Sequence, residues 1–379
     1  MNKRNISAIF MLVFAVVVCI ACAHSYMSMW KPDVVVPGPG VTEKKMLSDY
    51  CDKMKGSPGD TPVYILKGKS PGATVFIFGG THADEPSGVL SAMVMVENMR
   101  VEKGRVIMVT HANESGFTQN YPQEAHPQKI TFETPQGPRT VRFGSRTSNS
   151  IHHWPDPEVY THFPSGQQYS GDEIRNPNRA FPGRPNGSYQ QQVAWAYQQL
   201  ILKEKVDLVI DLHEAPPEYP FINAIGAHER GKEIAVMTSV MLQDQGIEIG
   251  LELSPSAFRG LTYRELGDTT PAICMLMETA NPAQSRLRGI TDESLVVDGK
   301  DSFLVQANKL GRTYVPVSKD GWPLKLRVAR HVTAMNMIFS VFTEFMPDKQ
   351  IVVRNLPSYD DLRIKGIGQY LNPIPAKNN

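Results

Sequence analysis

A histidine and a glutamate three positions apart follow a short apolar stretch in the first third of the chain. Residues 75–78 have the length and the β-branched and aromatic content of a buried strand, and Gly79-Gly80 permits a sharp exit from it. His82 and Glu85 come directly afterwards. An imidazole nitrogen and a carboxylate oxygen at this spacing can face one cation, so the pair is predicted to supply two metal ligands.

Two later apolar stretches end in residues of the same kind. The predicted strand 206–212 runs into His213, and the predicted strand 271–277 runs into Glu278. In a mostly parallel sheet, ligands bind beyond the carboxyl ends of the strands. Two histidines and one carboxylate with an open fourth position are typical of catalytic zinc, which acidifies a bound water and polarises a carbonyl oxygen. Glu278 is the candidate base that moves a proton from that water to a leaving nitrogen.

Two arginines lie in the segment 171–183, which is rich in proline and asparagine. Arg175 and Arg179 offer rigid guanidinium forks suited to a developing oxyanion or to a substrate carboxylate. Glu214, next to His213, is either a partner that orients an imidazole or an ordinary loop carboxylate. Asp84 is expected to hydrogen-bond locally within its turn.

The elements that must position these residues alternate between strand and helix patterns. Apolar residues at helical spacing in 87–99, 188–204, 229–245 and 324–345 separate the apolar strands. This alternation predicts an α/β fold with a mixed, mostly parallel sheet and helices on both faces. We predict a domain from 61 to 347, preceded by a linker over 24–60 and followed by a tail over 348–379.

The N-terminus has the charged and apolar regions of an export signal. Lys3 and Arg4 precede an uncharged run over 6–23, which ends in the small residues Ala21-Cys22-Ala23. Cleavage, lipidation at Cys22 and retention as a membrane anchor all remain open, and all three place the domain outside the cytoplasm. The segment 1–23 is therefore predicted to be a signal peptide or membrane anchor of a periplasmic, secreted or tethered protein.

Composition excludes some classes of protein. The 379 residues are 41% hydrophobic and 20% charged, which is typical of a globular protein. Loss of residues 1–23 would remove two of 39 basic residues and none of the 38 acidic ones, so no nucleic-acid partner is expected. Of the two cysteines beyond that segment, Cys274 lies in an apolar run and is predicted to be a buried thiol, rather than disulfide-bonded to Cys51.

The long segment 113–178 has no periodic pattern and contains four histidines, at 126, 152, 153 and 162. Their spacing fits no standard ligand set. Because loops of this length in compact domains are usually functional, we expect a substrate-facing insertion rather than a second metal site.

Four segments resemble the succinylglutamate desuccinylase and aspartoacylase family, amide-hydrolysing relatives of the zinc carboxypeptidases. They are Gly79-Gly-Thr-His-Ala-Asp-Glu85, Asn178-Arg179 before Phe-Pro-Gly, Asp211-Leu-His213 and Met277-Glu-Thr279, and they occur in the family's order. The resemblance implies a zinc-carboxypeptidase-like fold. It also implies one zinc held by His82, Glu85 and His213, a substrate carboxylate bound by Asn178 and Arg179, and Glu278 as general base.

The chain departs from the family pattern at two places. Ala83 stands where a glycine is usual. The inserted segment obscures the carbonyl-polarising arginine, so Arg175 is the first candidate for it, with Arg142 and Arg146 as alternatives. A tyrosine or arginine lining the substrate site is expected before the base, and Tyr263, in Arg259-Gly-Leu-Thr-Tyr-Arg264, is the candidate.

The resemblance leads us to expect a zinc-dependent hydrolase acting on a small-molecule amide or a short peptide. Deacylation of an N-acyl amino acid is the first interpretation. An exported carboxypeptidase or amidase acting on peptides or cell-wall fragments is the alternative. A binding protein that keeps the zinc site without catalysis is the third, and Glu278 argues against it.

Overall fold

A long exposed helix begins the chain. The computed structural model describes residues 2–121, 126–254, 256–317 and 320–375. Helix α1 (Lys3–Met27) buries none of its side chains against the rest of the protein. Within these described ranges, the stretch Lys3–Trp30, with a mean hydropathy of 2.9, is the one helix long and apolar enough to cross a membrane.

Nine strands of the described chain form one sheet, and four more form two small hairpins. The strands are β1 (Glu43–Met46), β2 (Pro62–Lys67), β3 (Ser70–Gly79), β4 (Arg100–Val109), β5 (Lys129–Phe132), β6 (Arg139–Arg142), β7 (Val159–Thr161), β8 (Gln168–Ser170), β9 (Leu208–Ala215), β10 (Ala224–Ala227), β11 (Gly250–Leu253), β12 (Ile273–Ala280) and β13 (Val352–Arg354). The remaining helices are α2 (Pro86–Asn98), α3 (Tyr189–Lys203), α4 (Lys232–Asp244), α5 (Thr262–Thr269), α6 (Glu293–Asp298), α7 (Ser302–Lys309), α8 (Leu324–Phe345) and α9 (Tyr359–Lys365).

The centre of the large sheet is parallel and its margins are antiparallel. The order is β1-β2-β4-β3-β9-β12-β10-β11, with β13 paired to β4. Strands β4, β3, β9 and β12 run in one direction, and β2, β10 and β13 pair antiparallel with their neighbours among them. The prediction of a mixed, mostly parallel sheet flanked by helices is confirmed.

Alternation along the strands divides the core into two layers. Leu208, Ile210 and Leu212 of β9 pack with α4 and α8 on one face of the sheet. Val209 of the same strand packs with α3 and α5 on the other face. Because successive side chains alternate, the next residues on that second face are Asp211 and His213, at the carboxyl end of β9. The sheet therefore presents these two polar residues on the face covered by α3 and α5.

The sheet extends beyond the predicted domain boundaries. Strand β1 lies within the predicted linker 24–60, and β13 lies within the predicted tail 348–379, whose residues 376–379 fall outside the described chain. Asp33 is also buried, where its carboxylate accepts hydrogen bonds from Arg142 and contacts His111. These edge strands of three or four residues are too short to show a period in the sequence.

The segment 113–178 is more ordered than its sequence pattern indicates. Strands β5 and β6 form a hairpin whose Ile130 and Val141 are buried against α2 and α8, and β7 pairs with β8. Residues 122–125 lie outside the described chain. Cys274 is a buried free thiol and Cys51 is also free, which confirms the prediction made for Cys274.

Candidate metal centre and cleft

The turn after β3 places His82 and Glu85 at the carboxyl edge of the sheet. Gly80 adopts a φ of 71°, and a β-carbon there would lie 2.9 Å from both the Phe117 ring and the Thr110 carbonyl oxygen. Only glycine suits this close, left-handed exit. The chain then enters α2 at Glu85, so both side chains are fixed by the strand on one side and the helix on the other.

Three side chains converge on one point. Glu85 Oε1 lies 2.8 Å from His82 Nδ1, and Glu85 Oε2 lies 2.9 Å from His213 Nδ1. One ligating atom from each residue lies within 4.8 Å of the other two, and all three side chains are buried. Across the described ranges, no other group of three or more histidine, cysteine or acidic residues brings its ligating atoms close enough to hold one metal ion. The structure thus brings the three predicted ligands together.

Each imidazole is oriented through its other ring nitrogen. His82 Nε2 lies 3.0 Å from Asn176 Oδ1, and His213 Nε2 lies 2.7 Å from Asp211 Oδ2. An acceptor oxygen at each Nε2 favours the tautomer that donates from that nitrogen, which leaves the Nδ1 lone pairs facing the centre. Asp211 is itself fixed, because it accepts hydrogen bonds from the Thr81 and Thr262 hydroxyl groups.

This donor set fits a zinc ion. Burial disfavours the charged imidazolium of His213, yet Asp211 and Glu85 hold its pKa well above the usual range. Burial opposes ionisation of Glu85, yet His82 and His213 keep its pKa well below the ordinary value. A divalent cation held by the two Nδ1 atoms and Glu85 would supply the positive charge that these carboxylates favour, and two nitrogens with one oxygen are zinc ligands.

Glu278 lies beside this centre. It is paired in register with His213 on the adjacent parallel strand, so both side chains leave the same face of the sheet. Its Oε2 atom is buried and has no hydrogen-bond partner among the described residues. Burial raises the pKa of the Glu278 carboxyl well above its ordinary value, and the nearby Glu85 carboxylate adds to this effect. A carboxyl that lines a cleft and keeps one buried oxygen without a hydrogen-bond partner is typical of a group held for chemistry rather than for packing.

The structure places Arg146, rather than Arg175, at the centre. Arg146 Nη1 lies 3.3 Å from both Glu85 Oε1 and His82 Nδ1, and its side chain lines the cleft. The Arg175 guanidinium instead forms an ion pair with Asp156 at 2.8 Å and lies away from the lining of the cleft. Arg142, the other alternative, pairs with Asp33 and Glu114. Position in the sequence could not separate these arginines, because the non-periodic segment 113–178 carries all three.

A cleft of about 360 Å³ opens from the metal centre and holds the predicted substrate-binding residues. The Arg179 guanidinium lies 4.6 Å from the Phe258 ring centroid. Its Nε makes no hydrogen bond with the described residues but lies 3.7 Å from the Glu173 carboxylate, as an ion pair. Asn178 and Tyr263 also line the cleft. Asn178 is held by the Thr262 amide, which donates to its Oδ1 at 2.8 Å. Asn178, Arg179 and Tyr263 therefore lie in one cleft with His82, Glu85 and Glu278.

The Glu214 side chain leaves β9 on the opposite face from His213 and supports the metal centre from behind. Its carboxylate forms a fully buried ion pair with Arg327 of α8 at 2.6 Å, while its backbone N–H donates to Glu85 Oε2 at 2.9 Å. Gln284 donates to both Asp84 and Glu85. Burial and the Glu85 charge raise the pKa of Asp84 to about 7.

Sequence reasoning missed the two residues that orient the imidazoles. Asp211 could have been found, since it precedes His213 by two positions on a strand and must share its face. No pattern marks Asn176, which is brought to His82 by a 3₁₀ turn between Gly171 and Arg175. The four histidines of the insertion form no second metal cluster in the part of the chain that the structure describes.

No protein-family profile and no curated protein sequence matches the chain. A succinylglutamate desuccinylase from Silicibacter sp. TM1040 has a similar structure, with 18% identity, coverage of 57% of this chain and 53% of that one, and a TM-score of 0.36. A succinylglutamate desuccinylase/aspartoacylase from Rhodobacter sphaeroides is 18% identical over 69% of this chain and 63% of its own, with a TM-score of 0.36. A metallo-carboxypeptidase from Burkholderia cenocepacia is 9% identical over 79% and 68%, with a TM-score of 0.40.

The chain thus spans between half and two thirds of the length of the first two proteins. Among solved structures, it is similar to proteins of the succinylglutamate desuccinylase/aspartoacylase family, which its sequence motifs resemble.

Proposed function

We propose that this protein is a zinc-dependent hydrolase that cleaves an amide bond in a small substrate carrying a carboxylate. One observation carries the proposal. The Nδ1 atoms of His82 and His213 meet the Glu85 carboxylate at 2.8 and 2.9 Å, beside the Glu278 carboxyl, whose Oε2 is buried without a hydrogen-bond partner among the described residues. Two nitrogens and one oxygen leave a fourth coordination position for water, as in catalytic zinc sites.

Zinc bound there would supply a water of lowered pKa and polarise the carbonyl oxygen of the scissile amide. Glu278 accepts the proton of the attacking water and donates it to the nitrogen that leaves. Burial favours the protonated form of the Glu278 carboxyl, whereas the charge of a nearby divalent metal ion would favour the carboxylate. Metal binding would therefore prepare Glu278 to act as a base.

Two arginines have separate tasks in this proposal. Arg146, at 3.3 Å from the Glu85 carboxylate, is close enough to the centre to stabilise an oxyanion that develops on the carbonyl. Arg179 lines the same cleft, where its Nε makes no hydrogen bond with the described residues and faces Glu173 at 3.7 Å, and together with Asn178 it would bind the substrate carboxylate. Tyr263 would line the same part of the cleft.

The size of the cleft favours a small substrate. A volume of about 360 Å³ is near the lower limit for small-molecule sites, which suits an N-acyl amino acid. Cleavage of a short peptide or cell-wall fragment, as by a carboxypeptidase, is the second candidate. It is favoured by helix α1, whose length and apolar composition suit export or membrane anchoring.

Hydrolysis by the full-length, zinc-loaded protein tests this proposal. N-acyl amino acids would be compared with N-acylated dipeptides, each with a free carboxylate and as the C-terminal amide. We expect cleavage that requires both zinc and the free carboxylate, with faster turnover of the N-acyl amino acids. Faster cleavage of the dipeptides would favour the carboxypeptidase. Tight binding of these ligands without hydrolysis would favour a non-catalytic binding protein.

A further inference from the structure

A single glutamate stands in the wall of the cleft at the end remote from the metal centre. Glu252 belongs to the four-residue strand β11, is half-buried and lines the cleft. No hydrogen bond or ion pair joins its carboxylate to any residue in the described part of the chain. A partly desolvated carboxylate is energetically unfavourable unless a cation lies beside it. Among the described residues, Glu252 therefore lacks the positively charged partner that would stabilise its charge.

The register of the sheet places Glu252 in line with the catalytic residues. Gly226 of β10 pairs with Leu276 of β12 on one side and with Glu252 of β11 on the other. Leu276 precedes Glu278 by two positions, so all these residues share one face of the sheet. Two strand spacings across and two residues along separate the Cα atoms of Glu252 and Glu278 by about 12 Å.

The glycine between them lets two aromatic rings pack directly over the sheet. A β-carbon at Gly226 would lie 3.0 Å from the Phe221 ring and 3.3 Å from the Tyr263 ring. Both rings line the cleft, as does Leu276. Glu252 lines the same cleft, so a linear side chain that runs along Leu276 and these rings would reach the Glu252 carboxylate.

We propose that Glu252 binds a cationic group of the substrate, so that the preferred substrate is an amide of an amino acid with a free carboxylate and an amine-bearing, lysine-like side chain. This inference rests on the proposed hydrolase function and adds the substrate class. The two charged ends are recognised separately, by Arg179 for the carboxylate and by Glu252 for the ammonium group. Leu276 and the aromatic rings suit the methylene groups between them.

The electrostatic environment of Glu252 agrees with this assignment. Burial raises the pKa of the carboxyl above its ordinary value, and no neighbouring cation offsets the effect. An ammonium group bound alongside would restore the charged form, since an opposite charge favours ionisation. The same contact would discriminate against an uncharged side chain of equal length, because such a ligand leaves the carboxylate desolvated and unpaired.

Binding of two matched ligands separates this inference from the hydrolytic activity. Nα-acetyl-lysine and Nα-acetyl-norleucine both carry the free carboxylate and differ in the ammonium group. Their dissociation constants would be measured by calorimetry on the full-length, zinc-loaded E278Q protein, which is designed not to turn them over. We expect Nα-acetyl-lysine to bind at least about tenfold more tightly, as for one charge-assisted contact.

Two substitutions show whether Glu252 causes the preference. E252Q should remove it, and E248Q, which neutralises an exposed glutamate outside the cleft, should leave it unchanged. Equal binding of the two ligands, binding of neither, or a preference that survives E252Q would overturn the cation site. If the preference holds but the protein with Glu278 intact hydrolyses neither ligand nor any other amide, the cation site stands and the proposed hydrolysis fails.

Discussion

Glu278 and His213 occupy paired positions on the neighbouring parallel strands β12 and β9. Paired side chains on parallel strands lie on one face, about one strand spacing apart. The sheet itself, rather than a loop, therefore sets the distance between the candidate base and a candidate metal ligand. Loop changes elsewhere should leave this distance intact.

E278Q should abolish turnover and leave the metal in place. The amide keeps the shape of the side chain but cannot accept the proton of the attacking water, so we expect kcat to fall by at least about 1,000-fold. Zinc content, measured by elemental analysis, should equal that of the unmodified protein. The thermal midpoint should stay close to that of the unmodified protein, because the amide has the shape of the carboxyl group and Glu278 Oε2 makes no hydrogen bond with the described residues that could be lost. Turnover near the wild-type rate would remove Glu278 from the mechanism.

D211N should weaken zinc binding through His213. Asp211 accepts from His213 Nε2 at 2.7 Å, and its charge makes the opposite ring nitrogen a better ligand. Loss of that charge should lower zinc affinity by about 10- to 100-fold, measured by competition with a chelator. D207N provides the control, because Asp207 lies just before the other end of β9 and pairs with Lys349. An unchanged zinc affinity in D211N would show that Asp211 has a structural role only and does not affect His213 as a metal ligand.

R146A and R175A should separate the two arginines. R146A removes a guanidinium beside Glu85 and should lower kcat by about 100-fold, as for loss of one oxyanion donor. R175A breaks the ion pair with Asp156 and should lower the thermal midpoint while kcat stays close to the wild-type value. The reverse pattern would restore Arg175 as the residue that contacts the oxyanion, as first predicted from the sequence.

Stability should depend on pH through Asp268. Burial alone would raise the pKa of Asp268, but hydrogen bonds from Arg264 and His228 bring it down from 3.8 to about 2. A depressed pKa stabilises the folded state above the unfolded value, and this contribution is lost as pH falls from about 4 to about 2. D268N should therefore be less stable than the unmodified protein at neutral pH, with the difference vanishing over that range.

Urea unfolding followed across this pH range measures the effect. D244N, at the exposed end of α4, is the matched control and should parallel the unmodified protein throughout. A difference for D268N that persists unchanged at pH 2 would show that the carboxylate charge does not stabilise the fold.

Site residues at the ends of the long central strands could be predicted from the sequence. His82, Glu85, His213 and Glu278 each follow or end an apolar run, and a parallel sheet brings such ends together. Arg146 and Asn176 could not be assigned, because they reach the centre from a long segment whose path is set by tertiary packing rather than by periodicity. The place of Glu252 in the cleft could not be predicted, because β11 has only four residues and lies at the edge of the sheet.

The boundaries of the domain were harder to predict for the same reason. Strand β1, with the sequence Glu-Lys-Lys-Met, has no apolar alternation, and it joins the sheet through backbone hydrogen bonds to β2. Backbone pairing of this kind leaves no mark on side-chain composition. The burial of Asp33 depends on Arg142, more than a hundred residues later, which no local pattern reveals.

Metal content tests the central claim most directly. Full-length protein reconstituted with zinc and then dialysed would be compared with H82A and H213A by elemental analysis. We predict about one zinc per chain in the unmodified protein and none in either variant, because each imidazole supplies one of only three protein ligands. H228A, which removes a histidine paired with Asp268 outside the cluster, should retain the metal. Absence of zinc from the unmodified protein, or its retention in H82A and H213A, would contradict the account.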